Sequence, residues 1–314
     1  MKPRFAADYR LLFWMFVLVP AMPALALWRP ALAPWLLPLT LYLAYCTGIA
    51  SHWHNHCPTF GASSVNRAYG AWLSIFYGTP IFAWVPTHNQ NHHKFINGEG
   101  DCTRTSRYAK SNDAWYALTY PFASAAYQLP SVWAFARRVS ASGRKGFGLV
   151  ATQLFALAGA HFGFVLLATR WHGVGDGLLA YCFALGLPAG FATWSMMFTN
   201  FLQHVDCDAG SVDNHSRNFT SAKLNWFVFD SGFHTVHHEH PGTHWSKYAA
   251  LHEARKERID PALEQESIGA YCWSTYACKH LRADEAVGFR SRRLDGVPTV
   301  TSRPRAAAPE GWIE

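Results

Sequence analysis

The chain has 314 residues, half of them hydrophobic and 16% aromatic, with only 15% charged. Soluble domains carry about a quarter charged residues, so this composition is that of a membrane protein. The net charge of +7 fits a basic cytoplasmic face rather than a nucleic-acid partner, and seven cysteines without a CxxC pair argue against a disulfide framework or a rubredoxin-type or zinc-ribbon site.

A bilayer span needs about 20 apolar residues. The first 27 residues have the basic-then-apolar order of a signal peptide, but a second apolar segment begins after only Trp28-Arg29-Pro30. The expectation is therefore a retained hairpin. Its arms are 11–27, which carries Pro20 and Pro23, and 31–50. Segment 68–86 is apolar but contains Gly70, Gly78 and Pro80. A single crossing there would put the histidines on its two sides on opposite membrane faces, so it reads as interfacial or re-entrant. Segment 115–133, rich in Tyr and Trp, reads as a second interfacial stretch. Spans 147–169 and 178–202 form a second hairpin around the short glycine-bearing turn 170–177. With the N-terminus inside, the two outer turns carry only Arg29 and Arg170 of the 27 Lys and Arg, as the positive-inside rule prefers. The expected layout is one domain over 1–290 and a disordered Arg-, Pro- and Ala-rich tail over 291–314.

Seventeen histidines are the most informative feature. They gather in HWHNH at 52–56, HNQNHH at 88–93 and HTVHH at 234–238, with His204 directly after the fourth span. Residues three and four apart share a helical face. His52 with His56, His88 with His92, and His234 with His237 and His238 can thus each face a common point. His93 is five residues beyond His88, about 140° round an ideal helix, and is placed to reach a second metal. Nine imidazoles exceed the four ligands of structural zinc and suit two adjacent ions with positions open to oxygen. Imidazole alone leaves zinc, copper, iron and nickel open. Asp206, Asp208, Asp230 and Glu239 lie beside ligand boxes and are candidates to accept the second ring N–H. His161 is mid-span and is expected to make an interhelical hydrogen bond. His172, His215, His252 and His280 read as surface or satisfied core residues. A membrane metal transporter would line its spans with histidine, and only His161 lies inside one.

The pattern resembles the membrane fatty acid desaturase and hydroxylase superfamily. The matching residues are His52-x-x-x-His56, His88-x-x-x-His92-His93 and His234-x-x-His237-His238, in that order, over roughly residues 10 to 255. Asn200-x-x-x-His204 resembles the element that, in acyl-CoA desaturases, supplies a further histidine ligand and an asparagine holding a metal-bound water. The resemblance implies an all-α integral membrane fold. Four transmembrane helices in two hairpins would carry a cytoplasmic helical cap with the di-metal site, in a bacterial inner membrane with the site facing the cytoplasm. It implies two iron ions on His52, His56, His88, His92, His93, His204, His234, His237 and His238, with O2 as co-substrate. The expected reaction is desaturation of a fatty acyl lipid. Oxidative decarboxylation of a free fatty acid to a terminal alkene, or hydroxylation, are the alternatives within the family. The sequence has no fused cytochrome b5 domain, and His240-Pro241-Gly242-Thr243 only echoes its haem motif. Electrons are therefore expected from a separate ferredoxin, rubredoxin or cytochrome b5 with its reductase. HPGTHWS at 240–246 resembles the segment just after the third box in a bacterial desaturase-like branch.

Overall fold

The computed structural model describes residues 2–278. The tail expected over 291–314 and His280 lie outside the described residues. Those described are almost entirely helical and cluster into two compact units, one of residues 2–86 and 130–196, the other of 87–129 and 197–278.

Three helical runs are long and apolar enough to cross a membrane: Asp8–Trp28 (α1), Pro30–His56 (α2) and Arg144–His204 (α5). Twenty-one residues at about 1.5 Å each reach roughly 31 Å, the thickness of the hydrocarbon layer. Pro20 and Pro23 are tolerated in α1 because a π-helical turn at Trp14–Leu18 relaxes the backbone just before them. α5 has 61 residues, far more than one crossing needs. Gly173, at φ 79° and ψ 170°, breaks it. Tyr181 then lies 3.1 Å from the ring of His161, twenty residues earlier. On a straight helix those residues would be about 30 Å apart, so the chain doubles back at Gly173. Gly177 is pressed against the Thr169 backbone, where a Cβ would come within 2.5 Å of Thr169 N.

In the first unit, Ala26, Ala33, Ala180 and Ala184 form a buried cluster covered by Phe164 and Phe183. Small residues let helix backbones approach closely. Trp35, Phe155 and Phe162 point outward, 82%, 77% and 71% exposed. Large apolar side chains outside and small ones inside fit lipid as the surrounding solvent. His161 also bonds the Ile75 carbonyl at 2.9 Å, the interhelical role expected of it.

The helix Ser63–Tyr77 (α3) has only 15 residues and ends at Gly78 in the left-handed region, φ 75°. About 22 Å of helix is shorter than the roughly 30 Å hydrocarbon layer. Buried Gln153 of α5 fixes the turn after α3: its Oε1 accepts from Ser74 Oγ (3.3 Å) and from Phe82 N (3.0 Å). That turn leads into a π-helix over Val85–His92, continued by the short helix His93–Phe95. α4 (Ala114–Ala141) covers the Tyr- and Trp-rich stretch as one 28-residue helix, with Trp115, Phe122, Leu129 and Trp133 exposed along it.

In the second unit, α6 (Ala222–Phe227), α7 (His234–Glu239), α8 (Tyr248–Glu253) and α9 (Ile268–Cys272) are short. A two-residue parallel pair, Asn218–Phe219 (β1) with Glu264–Gln265 (β2), ties them together. Asn218 fixes the start of α7: its Oδ1 accepts from Thr235 N (2.9 Å) and its Nδ2 donates to Thr235 Oγ1 (3.0 Å).

Candidate metal centre

Two groups of imidazoles converge within the second unit. In the first, His92, His204, His234 and His238 bring their Nε2 atoms together: 3.1 Å from His92 to His204, 2.9 Å from His234 to His204, 3.2 Å from His238 to His204 and 3.0 Å from His238 to His234. All four are buried. In the second, His93 Nε2 lies 3.1 Å from His88 Nε2 and 3.1 Å from His237 Nε2. In the first unit, His52 and His56 close α2 with ring centroids 4.8 Å apart, both buried. His54, between them, turns away to Thr59 Oγ1 (2.9 Å) and the Asn66 carbonyl (3.2 Å).

The grouping in the second box differs from the helical expectation, and the π-helix is the reason. Its backbone repeat is i→i+5 rather than i→i+4, so His88 meets His93 and not His92. His92 is released to the other group with His204. In α7, an ordinary helix, the i,i+4 pair His234 and His238 stays together and His237 diverges to His93.

Hydrogen bonds to the far ring nitrogens set which lone pairs point inward. His92 Nδ1–H donates to Asp101 Oδ2 at 2.7 Å. Asp101 is fully buried and also accepts from Asn97 N (2.6 Å), Thr103 N (2.7 Å) and Thr103 Oγ1 (2.8 Å). Burial pushes its carboxyl up, but the adjacent His92 ring, through its electrostatic pull and hydrogen bond, and the Thr103 donors outweigh this and hold it below the carboxylate range. His204 Nδ1–H donates to the His215 carbonyl at 3.2 Å. Tyr248 spends its single proton on the His240 carbonyl (3.1 Å), so at 3.3 Å from His237 Nδ1 it accepts. In each case the Nε2 lone pair is left facing the cluster. Burial, and then the neighbouring imidazoles of His234, His93, His92 and His204, hold His238 well below its usual range and so neutral.

This donor set fits a metal. One proton can join one pair of nitrogens, whereas four converge in the first group. Two nitrogens each about 2.1 Å from one ion lie about 3 Å apart at right angles, the separation observed. Neutral buried imidazoles are the ligand form.

Asn200 is buried and its Nδ2 donates to Tyr120 Oη at 3.1 Å; Tyr120 in turn donates to the Thr103 carbonyl. Of the carboxylates beside the boxes in sequence, Asp206 is exposed, Asp208 accepts from Gly210 N (2.9 Å) in its own turn, Asp230 takes a left-handed φ of 56°, and Glu239 pairs with Arg255. The carboxylate found on a box histidine is Asp101, nine residues past His92 and not singled out by the sequence. Its only sequence signal is the turn-rich NGEGD just beyond the second box. His215 is buried as expected of a core residue, but its carbonyl has the further task of orienting His204. His252 pairs with Glu264 at 2.9 Å and His172 bonds the Leu27 carbonyl at 2.7 Å.

Apolar helices of membrane-spanning length and buried histidine clusters define a membrane protein with a histidine-built metal centre. The family profile described as fatty acid desaturase matches residues 27–266, and the chain belongs to that family of membrane desaturases and hydroxylases. No curated protein and no solved structure matches it.

Proposed function

We propose that the protein is an O2-dependent di-iron desaturase that introduces a double bond into a fatty acyl lipid. The observation that carries this reading is the convergence of four buried Nε2 atoms, with a second group of three beside it on the same helices. His92, His204, His234 and His238 hold one iron. His88, His93 and His237 hold the other, joined by His52 and His56 from the end of α2. Family membership and the paired rings of His52 and His56 support this assignment. Iron there supplies redox chemistry toward O2, with electrons from a separate ferredoxin-, rubredoxin- or cytochrome b5-type carrier and its reductase.

The chain's own residues do the rest. Asp101 and the His215 carbonyl fix the tautomers of His92 and His204. Tyr120 takes the Asn200 amide hydrogen and so fixes the orientation of the amide, whose Oδ1 would accept from a water at the metal centre. Burial of the whole set excludes bulk water from the metals. α1, α2 and the two arms of α5 cross the membrane as four spans in two hairpins, with the histidines on the cytoplasmic face of a bacterial inner membrane. Purified protein is expected to hold close to two irons per chain, and His92→Ala or His237→Ala to lose iron and turnover together. Full activity with zinc alone overturns the reading. A terminal alkene or a hydroxylated acyl product would replace desaturation with decarboxylation or hydroxylation.

A further inference from the structure

α5 ends at His204, and the last four carbonyls of a helix lack intrahelical donors. Here three of the carbonyls around the terminus are taken by one residue. Arg217 donates its main-chain N–H to the Gln203 carbonyl (2.7 Å), one terminal nitrogen to the Leu202 carbonyl, and Nη2 to the Val205 carbonyl (3.2 Å). The His204 carbonyl itself accepts from Asn97 Nδ2 at 3.0 Å. Arg217 is buried; its two terminal nitrogens go to main-chain oxygens rather than to a carboxylate, and its Nε has no hydrogen-bond partner among the described residues. A buried guanidinium is costly unless its donors are used, and placing its charge at a helix C-terminus gives it a favourable partner in the helix dipole.

Its guanidinium carbon sits 4.5 Å from the centroid of the Tyr271 ring, a cation–π contact. Tyr271 is held in turn: Asn112 Nδ2 donates to its hydroxyl (2.8 Å), and the Tyr276 hydroxyl donates to Asn112 Oδ1 (2.8 Å). Both tyrosines lie beyond residue 266, where the family match stops. A C-terminal segment outside the matched region therefore clamps the arginine that ends the helix carrying His204.

We propose that Arg217 is a positioning residue for His204, and that Tyr271, Asn112 and Tyr276 form a clamp that keeps it in place. The clamp sets the affinity of the metal site containing His204 and leaves the His88, His93 and His237 site alone. This rests on the two-metal reading of the function. The test is titration of cobalt(II) into metal-free full-length protein, read by its visible ligand-field absorption. Wild type takes up two cobalt ions. Arg217→Gln and Tyr271→Ala should keep one site unchanged and weaken the other on the order of 10- to 100-fold, the range seen when support behind a ligand is removed, with an altered absorption for the weakened ion. Tyr271→Phe, which keeps the ring face, should stay close to wild type. His204→Ala supplies the reference for a lost site. Two unchanged sites in Arg217→Gln and Tyr271→Ala overturn the proposal, and so does loss of both sites together, which marks general unfolding. Wild-type protein taking up fewer than two ions instead refutes the two-metal reading.

Discussion

Asp101 is the buried carboxylate that fixes His92, accepting from its ring at 2.7 Å and from three further donors. Asp101→Asn keeps the shape but replaces one acceptor oxygen with a donor, which favours the wrong tautomer of His92. Iron at that site should bind about 10- to 100-fold more weakly, measured by metal retention during dialysis against a chelator. Unchanged retention would show that Asp101 merely fills the loop. His204 and His161 form a second contrast, since α5 carries both. His204→Ala is expected to lower iron content and abolish turnover. His161→Ala should keep iron and most activity, because His161 only links Ile75 and Tyr181, a contact worth about 0.6 kcal/mol in membranes. The histidines of the three boxes, and the place of His204 directly after a span, are legible in the sequence. Asp101, Tyr248, the His215 carbonyl and Arg217 are not. Asp101, His215 and Arg217 lie in irregular loops and Tyr248 opens the short α8, so no periodicity connects their positions in sequence to their positions in space.

At the scale of the element, the π-helix Val85–His92 decides which imidazole serves which group. Inserting one alanine after Gln90, which is no candidate ligand, puts His93 six residues beyond His88, about 120° out of register on an α-helix and out of register on a π-helix as well. Both irons are expected to be lost although every histidine remains, whereas Gln90→Ala should keep them. Iron per chain, measured on both variants, checks this; retained iron in the insertion would mean that the winding of this segment does not set the grouping. The sequence points to an ordinary helix for the second box because histidine spacing of four and five is compatible with either winding. The spans are more legible. The break at Gly173 falls within the turn expected over 170–177, where a glycine takes the positive-φ region at no steric cost. α3 ends at Gly78, two residues before Pro80, inside the segment 68–86 expected to be interfacial or re-entrant.

Over the whole molecule, membrane topology and chemistry are the two remaining claims. With both hairpins crossing, Cys57 just after α2 and Cys278 at the end of the described chain should label from the same, cytoplasmic side. Both are half-buried rather than enclosed, so a membrane-impermeant thiol reagent can report on them. Labelling from opposite sides would mean an odd number of crossings between them, either one arm of α5 lost or segment 68–86 gained. The lone pairs facing one another at 2.9 to 3.2 Å in the four-histidine group are what the account of function rests on, since nothing but a cation reconciles them. The most direct test is mass spectrometry of acyl products formed by the same purified protein loaded with iron or with zinc, under O2 and with an electron donor. Acyl chains lacking one pair of hydrogens are expected with iron and O2 only. An identical product from the zinc-loaded protein, or in the absence of O2, would contradict a di-iron desaturase.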